Sequence, residues 1–323
     1  MVQNDTLRRK ALSVIAEVKK VIVGKDDVVT KLFLGMLAKG HVLLEDIPGV
    51  GKTSLVVALS AAMSLDFKRI QFTPEVMPAD VVGYTLYDRE TGERSYQPGA
   101  ALCNLLLVDE INRASSKTQS ALLEVMEEQA VTVDGVTHRI SPPYTVIATQ
   151  NPAGSAGTQL LPESQLDRFM LRLTLGYPDV EDEAILLKQR RAASPLESVR
   201  PVASAQDLGA MQTEVEAVHI DDDLYRYIAR ISDATRATPR LRLGVSPRGS
   251  LALLRMSRAI AWLSGRDYVL PGDIRLVVPE ALAHRVLTHA HTAQSETDNV
   301  AEILTDLIAA IPEPGMQVRR AVG

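Results

Sequence analysis

The sequence predicts an α/β domain built on a parallel sheet, followed by an all-α domain. Three observations predict it. Val42-Leu43-Leu44-Glu45 and Leu105-Leu106-Leu107-Val108 are short, almost wholly apolar runs, which suits strands covered by helices on both faces. The first run leads through a Gly-rich turn into a helical pattern over 54–63, the strand–turn–helix order of an α/β unit. From Glu181 onward only helical spacing recurs.

That Gly-rich turn, Asp46-Ile47-Pro48-Gly49-Val50-Gly51-Lys52-Thr53, followed by Ser54, reads as a phosphate-binding loop. Gly49 and Gly51 let the backbone turn several N–H groups inward. Those donors and the positive end of the helix dipole hold an anion. Lys52 reaches β- and γ-phosphates, and Thr53 sets its hydroxyl on Mg²⁺. One position departs from the general pattern: Asp46 stands where a glycine is usual, five residues before Gly51.

Taken in order, Leu7, Ala11, Val14, Ile15, Val18 and Ile22 predict a first helix. Val28, Val29, Leu32, Phe33, Met36 and Leu37 predict a second, ended by Gly40. Residues 67–72 alternate as a strand. Tyr84 to Tyr87 and Arg94 to Tyr96 flank a turn at Thr91-Gly92, a hairpin set into a loop. The run 105–108 ends in Asp109-Glu110, carboxylates suited to bind Mg²⁺ and to orient and polarise an attacking water, respectively. Ser116 and Gln119 predict a capping box for a helix over 117–129. Asp134-Gly135 predicts the turn of a second hairpin near 131–140. A buried strand over 144–148 leads to Asn151, at a carboxyl end where ligands sit in open α/β sheets. Leu166-Asp167-Arg168-Phe169 is expected on a helix, before a last strand over 171–175. Helices are expected at about 181–191, 204–217, 221–236, 247–264, 271–287 and 298–311, with a Ser/Pro-rich linker near 192–202. Ser246-Pro247-Arg248 is a helix start. The expected domains are 1–177 and 178–323.

With 323 residues, 46% of them hydrophobic, the chain can bury a sizeable core. A net charge of −5 supplies no basic field for nucleic acid. A single cysteine, Cys103, rules out a disulfide within the chain and fits a reducing compartment. The polar start lacks a signal-peptide core, and no apolar run is long enough to span a bilayer. A cytoplasmic location without membrane insertion is the expectation.

These motifs together resemble the MoxR-type AAA+ ATPases over nearly the whole length. They are Glu45 to Thr53, Gln71-Phe72-Thr73-Pro74-Glu75, Pro98-Gly99-Ala100, Leu107 to Ala114 continued by Thr118 to Glu124, Ala148 to Pro152, Leu166 to Phe169, and Ser246 to Arg248. The resemblance implies an AAA+ P-loop core with a five-stranded parallel sheet and an all-α lid. It also implies that the strand ending at Asn151 lies between the phosphate-loop strand and the Asp109-Glu110 strand. ATP and Mg²⁺ follow as cofactors. Asn151 would hold the attacking water with Glu110. Arg168 would reach the nucleotide of the neighbouring subunit, Arg248 would act as a sensor carried by the lid, and Val23-Gly24 would pack against adenine. A homo-oligomeric ring, hexameric with nucleotide, is implied. So are a partner with a von Willebrand factor A domain and a protein client matured, assembled or loaded with metal. The two hairpins resemble inserts that face the pore or partners.

Two neighbouring readings share these features: a magnesium-chelatase-type motor subunit, and a DNA-directed ATPase such as a helicase loader. The extended match over 109–124 favours the MoxR type over the first. The acidic balance, and the lack of a helix-turn-helix or basic tail, oppose the second. A scaffold that binds ATP without turnover is opposed by the joint presence of Glu110, Asn151 and Arg168.

Overall fold

Five parallel strands form the central sheet of the computed structural model, which describes residues 2–151, 161–189, 195–289 and 300–315. They are β1 (Val42–Glu45), β2 (Phe67–Gln71), β5 (Leu105–Asp109), β8 (Thr145–Gln150) and β9 (Leu171–Leu173), in the order β2-β5-β8-β1-β9. β8 therefore separates the phosphate-loop strand from the Asp109-Glu110 strand, as the family resemblance implies. Leu105, Leu106, Leu107 and Val108 are fully buried. Each such side chain contributes about 1.5–3 kcal/mol, and their continuous burial forces helices onto both faces.

Two antiparallel hairpins stand off this sheet. β3 (Tyr84–Tyr87) pairs with β4 (Arg94–Gln97), and β6 (Ala130–Val133) with β7 (Val136–Arg139). Asp134 and Gly135 both take positive φ, 50° and 80°, the conformation a two-residue hairpin turn demands. The hairpins touch through Tyr96 and His138, whose rings stack with centroids 3.8 Å apart.

The helices of this unit are α1 (Val2–Lys19), α2 (Asp26–Leu37), α3 (Lys52–Ala62), the short α4 (Pro78–Val82), α5 (Ser116–Glu128), the single turn α6 (Glu163–Leu166), α7 (Val180–Gln189) and α8 (Ala205–Glu216). Local chemistry differs from the sequence expectation in three places. The cap of α5 is Ser115, whose Oγ accepts from the Thr118 amide, while Gln119 is buried and donates to the carbonyls of Ile111 and Ala114 at 3.0 and 3.3 Å. After α2 the left-handed residue is Lys39, at φ 55°; Gly40 is required instead because a Cβ there would strike Met170. Arg168 and Phe169 follow the end of α6 rather than lying within a helix.

The chain divides into compact units 1–216 and 217–323, beyond the boundary expected at 177/178. The reason is α8. Its Leu208, Met211 and Val215 are buried, Gln212 donates to the Met36 carbonyl at 2.9 Å, and Asp207 pairs with Lys10 at 2.7 Å. Of the expected linker, residues 192–194 lie outside the described residues; 195–198 form a helical turn, and the amides of Val202 and Ala203 donate to the Ala62 carbonyl.

The second unit contains α9 (Asp222–Ala237), α10 (Pro247–Leu263), α11 (Pro271–Leu282) and α12 (Val300–Ala310). Leu253, Met256, Ile274 and Ile303 are among its buried side chains. It also carries one short antiparallel pair, β10 (Leu241–Leu243) with β11 (Leu287–Thr288), which helical periodicity does not announce. Residues 298 and 299 of the last expected helix lie outside the described residues. Among the described residues no helix is long and apolar enough to cross a membrane.

Candidate active site

The site lies at the carboxyl ends of β1, β5 and β8. Gly49 and Gly51 sit at φ 90° and 98°, and a Cβ on either would meet nothing within 4 Å. Left-handed backbone, not crowding, demands glycine here, and the space beside the loop is open to an anion. Lys52, Thr53 and Ser54 form the first turn of α3, whose N-terminal amides point the same way. Lys52 Nζ donates to the carbonyls of Asp46 and Ile47 at 2.6 and 3.0 Å. Burial pushes the Lys52 ammonium below its ordinary pKa, against the opposing pull of Asp46, Asp109 and Glu110.

Thr149 joins two strand ends. Its hydroxyl donates to Asp109 Oδ1 at 3.2 Å and accepts from the Glu110 amide at 3.0 Å. Asp109 Oδ2 pairs with Arg69 Nε at 2.6 Å. Glu110 adopts φ 57°, which costs a non-glycine residue about 1–2 kcal/mol; such strain is commonly kept where it positions a functional group. Its carboxylate is held on both sides, by Asn151 Nδ2 at 3.3 Å and by Arg113 Nη1 at 2.8 Å. Asn112, also buried, donates to the Asn151 carbonyl at 3.4 Å.

The residues present fit a nucleoside triphosphate with its metal. Among the described residues no three metal-binding side chains cluster. One hydroxyl, Thr53, and one carboxylate, Asp109, suit a Mg²⁺ held largely by phosphate oxygens and water.

The remaining expected residues fall in three places. Val23 is half-buried, and Gly24 has φ 72°, with Asp182 of α7 so near that a Cβ would overlap its carboxylate. Arg168 pairs with Glu127 of its own chain at 3.4 Å, and its Nε is buried without a hydrogen-bond partner among the described residues. Arg248 belongs to the second unit, in the first turn of α10, where Ser246 Oγ accepts from its amide at 3.1 Å. Arg69, Arg113 and Thr149 were not singled out by sequence. Of the three, only Arg113 carried a signal, its three-residue spacing from Glu110.

Comparison with known proteins agrees with this fold. Residues 41–171 match the model of the ATPase family associated with various cellular activities (AAA), and 233–307 match an AAA lid domain. The uncharacterized protein YeaC of Bacillus subtilis is 46% identical over 93% of each chain. The chaperone MoxR1 of Mycobacterium tuberculosis is 37% identical over 94% of this chain and 84% of its own. A crystal structure of a candidate ATPase from Cytophaga hutchinsonii superposes with a TM-score of 0.88 at 35% identity, covering 97% of each chain. With a fold, a loop and strand-end acids of this kind, and relatives matched over most of their length, the chain belongs to the MoxR family of AAA+ ATPases.

Proposed function

We propose that this chain hydrolyses ATP to ADP and phosphate and uses the energy to remodel client proteins. The observation that carries the reading is the Glu110 carboxylate, bracketed by Asn151 and Arg113 at the end of β5, on the same sheet edge as the glycine loop. In this reading Pro48 to Ser54 cradle the phosphates, with Lys52 donating to β- and γ-oxygens. Val23 and Gly24 line the base. Thr53 and Asp109 hold Mg²⁺, which when bound offsets phosphate charge. Glu110 accepts a proton from the attacking water, and Asn151 fixes that water's position. Arg168 completes the active site of an adjoining subunit by reaching its γ-phosphate, and Arg248 acts as a sensor carried by the lid. A shared site of this kind requires a ring, for which we propose six subunits in the cytoplasm.

A chaperone role is supported by the name of MoxR1. The partner with a von Willebrand factor A domain, and client maturation or metal insertion, rest on the family likeness alone. The magnesium-chelatase reading is the second choice, since the match to MoxR1 spans this chain almost completely.

The test is phosphate release by the purified chain with ATP and Mg²⁺, followed alongside particle size. Turnover that rises with ring formation is expected. A folded protein that releases no phosphate under any assembly condition would overturn the reading. Glu110→Gln, held with ATP, is then the bait of choice for clients, which should dissociate when ATP is replaced by ADP.

A further inference from the structure

Asp46 does something that the glycine of a general phosphate loop could not. It follows β1 directly, is 5% exposed, and spends its whole carboxylate on backbone amides. Oδ1 accepts from Ile47 at 2.9 Å, within the loop. Oδ2 accepts from Leu175 and Gly176 at 2.6 and 2.7 Å, in the segment that leaves β9. The Asp46 backbone is equally committed: its amide donates to Gln150 of β8 at 3.2 Å, and its carbonyl accepts from Lys52 Nζ. The segment it grips continues past Gly176, at φ 67°, to Tyr177, whose carbonyl accepts from Lys25 Nζ at 2.7 Å, and then to α7. Asp182 of α7 abuts Gly24. One buried side chain thus joins the loop that carries Lys52 to the stretch that leads toward Val23-Gly24.

We propose that Asp46 is a positioning residue that transmits the state of the phosphate loop to Leu175 and Gly176, and so to the start of α7. Hydrogen bonds to an ionised acceptor are roughly twice as strong as neutral ones, and interiors packed this tightly pass on displacement rather than absorb it. When the loop closes on phosphate and Lys52 turns to it, the carbonyls of Asp46 and Ile47 lose their donor. Asp46 carries that change across to the 175–176 amides. The inference rests on the nucleotide-binding reading of the loop.

Amide hydrogen exchange at residues 175 and 176 tests it, in the full chain with ADP as probe and calorimetry in parallel. Without nucleotide, Asp46→Gly is expected to speed exchange at both amides about tenfold or more. Asp46→Asn, which keeps the shape but only one acceptor oxygen, should give a smaller increase. In the wild type, ADP binding should change exchange at 175 and 176. In Asp46→Gly that response should vanish at ADP concentrations that calorimetry shows to be saturating for the variant. The proposal is overturned if the two amides ignore bound ADP in the wild type, or respond equally in the variants. A wild type that binds no ADP in calorimetry removes the loop reading itself, and the coupling with it; the nucleotide-free comparison still reports whether the clasp exists. If Asp46→Gly does not fold, Asp46→Asn supplies both comparisons.

Discussion

Asn151 Nδ2 and Glu110 Oε1 lie 3.3 Å apart, joining the ends of two adjacent strands. The contact fixes one oxygen of a carboxylate whose backbone is already strained. Replacing Glu110 by Gln keeps the shape and removes the proton acceptor. Turnover should fall about 10²- to 10⁴-fold, with ATP affinity retained. Phosphate release and calorimetry measure the two separately, and undiminished turnover would remove Glu110 from the chemistry.

Lys52→Ala should act on binding first. The ammonium already donates to two carbonyls of the loop, and losing its charge-assisted contact to phosphate should weaken ATP binding about tenfold or more. Titration calorimetry is the direct measure. An unchanged dissociation constant would mean that the glycine loop holds something else.

Arg168 offers a test across subunits. Its own-chain partner is Glu127 at 3.4 Å, a long contact that a stronger anion could replace. Arg168→Ala should lose about 10³-fold in turnover. Mixing it with Lys52→Ala should restore part of the activity, because some interfaces then combine an intact loop with an intact arginine. Mixtures as inactive as their components would confine the arginine to its own chain.

His41 sets a pH dependence of stability. It is buried, Nδ1 accepts from the Val146 amide, and Nε2 faces the Met126 carbonyl, each at 2.9 Å. Both contacts suit the neutral ring; a second ring proton would face the Val146 N–H. Burial lowers its pKa from 6.5 to about 4. The unfolded chain therefore binds the proton more readily, and stability present above pH 6.5 is lost as pH falls toward 4. The loss amounts to on the order of 3 kcal/mol. Denaturant midpoints across that window should drop in the wild type and flatten in His41→Gln.

Much of this site is legible in the sequence because its pieces are contiguous. The loop from Asp46 to Thr53 and the pair Asp109-Glu110 each sit in one short stretch beside an unmistakable apolar run. The place of β8 between β1 and β5 followed from the family likeness rather than from any spacing. What remained hidden depends on register between distant segments. Arg69 meets Asp109 only because β2 lies beside β5, and Thr149 bridges Asp109 and Glu110 only because β8 lies on the other side. The placement of α8 with the first unit was hidden for the same reason: its periodicity shows a face, not what the face covers. Lys39 and Ser115 show a local limit, since in each case a neighbouring residue, Gly40 or Ser116, offered the more conventional signal.

Cys103 is 5% exposed, and burial drives its thiol up to about 12. At neutral pH its thiolate is scarce, so the natural chain is nearly blind to maleimides and other alkylating dyes. A cysteine introduced at an exposed point of either hairpin, such as Tyr87 or Val136, would therefore take a fluorophore or spin label alone. The native background needs no prior removal, and the hairpins can be followed through a working cycle by optical or magnetic resonance methods.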